Sequence, residues 1–160
     1  MPNITLSRTQ PGDAIKVFGA LWARGEEEVR AFGVSMADVL AGQPDRDKSR
    51  FAYTINLDGE PVVVTGAVKS QLGWSTYFFA TDGFASIGRE GTRLLTRQLA
   101  KDRAECPDGV LFCFSATTHP AARRWFSLLG FTPLSKDGSV TKYMYIGGSA
   151  RQKCRSLRAN

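Results

Sequence analysis

Histidine is almost missing from this chain: one residue in 160, His119. Three scattered cysteines, Cys106, Cys113 and Cys154, accompany it. That set lacks the spacing of a structural zinc site, so no metal is expected. The odd thiol count reads as reduced cysteine rather than a disulfide frame. No segment approaches the roughly 18 apolar residues of a membrane span. The opening MPNITLSRTQ has neither a basic n-region nor an apolar h-region, so no secretory signal is expected. No serine sits in a G-x-S-x-G elbow, and no lysine follows the glycines as in a P-loop. Repeats and low-complexity segments are absent. Trp22, Trp74 and Trp125 are dispersed, which excludes a base-stacking platform and suits packing.

What is present suits one globular domain. Apolar residues make up 42% and charged residues 22%, and the length is enough to bury a full core. The net charge of +6 is unevenly placed. Arg151, Lys153, Arg155 and Arg158 fall after Gly147 with no acid among them, leaving a nearly neutral body. The expected organisation is a domain over 1–147 and a basic tail over 148–160. Such a tail suits an acidic protein partner or nucleic acid, or is a solvated terminus.

Periodicity supplies the elements. Asn3 to Ser7 reads as a strand. Pro11-Gly12-Asp13 breaks it, and Asp13 suits a helix cap. Ile15, Phe18, Leu21 and Trp22 follow at helical spacing. ARGEEEVRAFG continues as a charged helix ending near Gly33. SMADVLAG reads as a short helix with Ser35 and Asp38 as a capping pair. Phe51, Tyr53, Ile55 and Leu57 alternate on one strand face, and Asp58-Gly59 is a hairpin turn leading into EPVVVTGAV. WSTYFFAT is a third strand of the middle region. A long helix follows to about Ala104, with Ile87, Gly91, Leu94, Leu95 and Leu99 as its stripe. VLFCFSAT reads as a mid-sheet strand, HPAARRWFSLLGF as a helix closed by Gly130, and KYMYIG as the last strand. The predicted order is β-α-α-β-β-β-α-β-α-β, an α+β fold with a mixed sheet.

This order, with two local motifs, resembles the GCN5-related N-acetyltransferase (GNAT) superfamily. The first motif is the aromatic strand STYFFATDG leading into IGREGTRLL. In that family a strand feeds a loop of pattern Q/R-x-x-G-x-G/A that holds the pyrophosphate of acetyl-CoA on its N–H groups. The second is HPAARRWFSLLGF, similar to the family's N-x-x-A-x-x-x-Y-x-x-x-G-F. The resemblance implies a GNAT-like, mostly antiparallel sheet flanked by helices. It also implies acetyl-CoA contacts at Phe79, Ala80, Thr81, Gly88, Arg89, Gly91, Thr92, Arg93 and Phe126. It covers about Phe51 to Pro133.

The sequence departs from the pattern at defined places. Gly88 stands where Gln or Arg is expected, and Arg93 where a second small residue is expected. His119 replaces the asparagine, and Phe126 replaces the tyrosine that returns a proton to the departing thiolate. Losing such an acid costs on the order of 10²–10⁴ in rate. Tyr77 and His119 are the candidate substitutes; His119 also reads as a helix-start residue. The strand over 75–81 carries no acid for a base, and Asp82 suits a cap. Gly88 and Gly91 suit either a phosphate or close packing on the sheet. The narrower resemblance is to GNAT-like proteins of short-tailed bacteriophages, some of them virion-associated. It implies a virion structural or assembly role in host cytoplasm or particle, docking through the basic tail. The alternative is an active acetyl-CoA-dependent N-acetyltransferase acting on an amine.

Overall fold

The computed structural model describes residues 1–35, 52–105 and 109–147. The capping pair at Ser35 and Asp38, the polar loop after it, Phe51, Cys106, Cys154 and the tail over 148–160 lie wholly or partly outside the described residues.

β1 (Ile4–Arg8) leads into α1 (Pro11–Phe18) and α2 (Ala23–Phe32). Pro11 opens α1, where its missing N–H costs nothing. Asp13 caps backwards: its Oδ2 accepts the Gln10 N–H at 2.9 Å and the Thr54 hydroxyl at 2.9 Å. Gly33, at φ 63°, closes α2 in the left-handed conformation that favours glycine. β2 (Tyr53–Leu57) and β3 (Glu60–Ser70) form the expected hairpin, with Asp58 and Gly59 both at positive φ as a type I′ turn requires.

β4 (Gly73–Ala80) runs into α3 (Gly83–Glu105), then β5 (Leu111–Ser115) and α4 (Ala122–Leu129). Here the structure differs from the sequence reading. One strand was expected after the last helix; instead β6 (Phe131–Asp137) pairs with β7 (Val140–Tyr145) as a hairpin. Its side chains from Pro133 onward are exposed, so no apolar alternation announced the strand.

The sheet order is β1-β2-β3-β4-β5-β7-β6, antiparallel throughout except for β4 beside β5. This is the mixed α+β architecture expected. Alternation divides the sheet's two faces. Ile55, Val63, Ala67, Trp74 and Leu111 pack with Phe84, Ile87 and Leu95 of α3 in the main core. Val64, Tyr77 and Phe79 face Ala14 and Val17 of α1.

The parallel pair is short. β4 and β5 are matched only at Trp74–Leu111 and Ser75–Phe112, with the Thr76 hydroxyl donating to the Phe112 carbonyl at 2.9 Å. Beyond that point the strands part, leaving a gap in the middle of the sheet.

Candidate functional site

A cavity of about 530 Å³ occupies this gap and reaches both faces of the sheet. Phe78, Trp125 and Phe126 line it on the α3 and α4 side; Tyr77, Glu28 and Arg24 line it towards α2. Backbone register decides what the gap receives. The Trp74 N–H donates to Val110 on the β5 side, and the Thr81 N–H donates to Val62 on the β3 side. Alternation therefore turns the peptide groups of Thr76, Phe78 and Ala80 into the gap, and those of Phe79 and Thr81 to β3. The Ala80 carbonyl accepts the Trp22 N–H at 2.9 Å.

α3 begins earlier than the sequence reading placed it. Only Thr81 and Asp82 separate β4 from Gly83, so Ile87–Arg93 is helix rather than loop. The first helical donors are satisfied locally: Gly83 N–H on Thr81 Oγ1 (3.2 Å), Phe84 N–H on the Thr81 carbonyl (3.0 Å) and Ala85 N–H on the Asp82 carbonyl (3.1 Å). Gly91 is buried, and a Cβ there would stand 2.9 Å from the Phe84 ring and 3.1 Å from Ile87. Gly88 is open, with nothing within 4 Å of a Cβ. Thr92 donates to the Gly88 carbonyl at 2.7 Å and accepts the Trp125 indole N–H at 3.3 Å. Arg89 and Arg93, four residues apart, share an exposed face.

Trp125 is the centre of an aromatic cluster across the mouth of the gap. Its ring lies 4.9 Å from Phe78, 6.2 Å from Phe84 and 5.3 Å from Phe126. Trp22 joins the same cluster, 5.6 Å from Phe84 and 6.2 Å from Phe78. Phe126 stacks on Tyr143 at 4.5 Å. Cys113 also lines the cavity. Burial pushes its thiol well up, so the neutral, weakly nucleophilic form prevails.

Tyr77 lies on the α1 side, its ring 5.8 Å from Phe79. His119 precedes α4, with Nε2 2.9 Å from the Arg24 guanidinium. Arginine only donates, and the Ala121 N–H also points at the ring, 3.2 Å from Nδ1. A neutral imidazole has one acceptor nitrogen, so one tautomer accepts from Arg24 and the other from Ala121.

Sequence reasoning missed two clusters. On α2, Glu28 accepts the Ser115 hydroxyl, the Ala116 N–H (2.8 Å) and the Thr117 N–H (3.2 Å). It fixes α2 to the end of β5. Deep beneath α3, Gln98 donates to Asp102 at 2.6 Å, both nearly buried. The signal for the second was available: Gly91, Leu95, Gln98 and Asp102 continue the buried phase of the helix, and its last two members are polar.

No protein-family model matches the sequence, and no curated protein sequence matches it. Solved structures do match by shape. A PaiA N-acetyltransferase from Thermoplasma acidophilum, in complex with coenzyme A, aligns with a TM-score of 0.67 at 9% identity over 89% of this chain and 98% of that one. An aminoglycoside acetyltransferase bound to coenzyme A aligns at 0.62 and 18% identity over 96% and 99%. A GCN5-related N-acetyltransferase from Sphaerobacter thermophilus aligns at 0.57 and 18% identity over 82% of this chain and 44% of that one. The chain therefore has the GNAT acetyltransferase fold.

Proposed function

We propose that this is an acetyltransferase-fold protein in which acetyl transfer is weak or absent and the domain serves as an assembly or interaction component, a virion component in the narrower reading. The observation that carries the proposal is the aromatic crowding of the gap: Trp125, Phe78 and Trp22 line it, with Phe84 packed against all three. A pantetheine arm entering between the strands needs that space. Two further features agree. The first three N–H groups of α3 are already paired, so the helix start offers a phosphate few free donors. Phe126 has no proton for a departing thiolate. The tail cations Arg151, Lys153, Arg155 and Arg158 supply the docking charge in this reading.

Calorimetric titration of the full chain with acetyl-CoA tests it. No binding at millimolar coenzyme is expected; micromolar binding overturns the proposal. Deleting 148–160 should weaken partner binding in a salt-dependent way, whereas unchanged assembly removes the docking role.

The cavity itself favours a second reading, an active N-acetyltransferase with acetyl-CoA as cofactor. Here Trp125 swings aside, and the peptide groups of Phe78 and Ala80 meet the thioester arm. Gly88, Arg89, Thr92 and Arg93 take the phosphates, and Tyr77 supplies the proton. Acetylation of amines that Tyr77→Phe abolishes would support it.

A further inference from the structure

We propose that the closed end of the cavity, beneath the last turns of α3, binds an organic cation with an apolar tail, an alkylammonium whose head sits among Asp102, Gln98 and Tyr53. The site lies ten residues along α3 from Thr92, which holds Trp125, about 15 Å of helix, and belongs to the same cavity as the gap.

Three observations meet there. Asp102 and Gln98 are only 6% and 8% exposed, and both line the cavity with Tyr53. The walls around them are apolar, with Leu95, Leu99 and Leu111. Among the described residues, the hydrogen bond that Asp102 makes is the one from Gln98, a neutral amide, on Oδ1. An ionised carboxylate offers about four acceptor positions. A buried charge is costly unless a cation with hydrogen bonds compensates it.

Among the described residues, compensation is partial: Lys101 favours the charged form, but no cation is seen to donate a hydrogen bond to Asp102. Glu105 adds like charge, and Lys101 on the same helix is exposed. Tyr53 from β2 is hydrogen-bonded to Gln98, with Arg8 of β1 nearby. Tyr145 from β7 faces both Asp102 and Arg103. Burial, reinforced by Glu105, pushes the Asp102 carboxyl up to about 6. A single buried carboxylate beside an amide and a phenol is a poor metal site, whereas an ammonium can donate to Asp102 and to the phenol oxygen. The whole cavity, gap included, measures about 530 Å³, in the range of small-molecule sites, and the leucine walls near Asp102 fit an alkyl chain.

The test uses the full chain and three probes of equal length, n-octylammonium, n-octanol and octanoate, followed by calorimetry at pH 7.5. Octylammonium should bind at least about tenfold more tightly than octanol, with octanoate weakest. The preference should shrink below pH 6, as Asp102 takes a proton. In Asp102→Asn it should vanish while octanol binding persists. Equal binding of the three probes, or a preference unchanged in Asp102→Asn, overturns the proposal. The wild-type comparison needs no variant, so it stands whatever the variant's folding.

Discussion

Trp125 is held by ring contacts to Phe78 and Phe84 and by a hydrogen bond to Thr92. Those ties hold its ring in the lining of the gap, so Trp125→Ala should widen it. Stability should fall by roughly 2–4 kcal/mol, and acetyl-CoA should bind more tightly than to the wild type by calorimetry. Asp102 gives a second prediction at this scale. Its carboxyl titrates higher in the folded chain than in the unfolded one, so the folded state holds the proton more tightly between about pH 4 and 6. Asp102 therefore costs stability as pH rises through that window, and the full cost is present above it. Asp102→Asn should raise the melting temperature at pH 7.5 by roughly 4–8 °C and change it little at pH 4. Neither role was legible locally. Tryptophan in a helix reads as packing, and what Trp125 packs against is set by β4 and α3.

Among the elements, α3 is the one whose sequence reading changed most. The stripe from Ile87 to Leu99 was visible as a helix, but its start was placed at the glycines rather than at Gly83. The two glycines should separate experimentally. Gly88→Ala has open space and should stabilise by about 0.5–1 kcal/mol through helix propensity. Gly91→Ala meets Phe84 and Ile87, and should destabilise by about 1–3 kcal/mol. Urea melts of both variants check this. A matching behaviour of the pair would remove the packing account of Gly91. α2 carries the other element-level claim. Removing the Glu28 carboxylate in Glu28→Ala leaves the Ala116 and Thr117 N–H groups without that acceptor. A cost of roughly 1–3 kcal/mol is expected, with faster hydrogen exchange at both amides. The acidic run in GEEEVR showed a charged helix face; it did not show which carboxylate turns inward.

Across the whole molecule, the hairpin at Asp58-Gly59, the apolar β5 and the glycine closing α4 were readable because each depends on local backbone and period-two or period-3.6 burial. Those signals, joined by the order of elements, were enough for the α+β class and the likeness to acetyltransferases. β6 was not readable, since an exposed strand is held by its neighbour's backbone rather than by its own side chains. The same limit governs the site. Sequence alone determined that Phe126 lacks a proton to give and that one histidine must serve any imidazole role. Only the tertiary structure decided that β4 and β5 part after two residue pairs, that four aromatic rings from β4, α3, α4 and the α1–α2 connection gather beside the gap, and that the Asp102 carboxylate of α3 is buried. Residue chemistry travels with the residue, whereas occupancy of a gap and burial of a charge depend on segments far apart in the chain coming together.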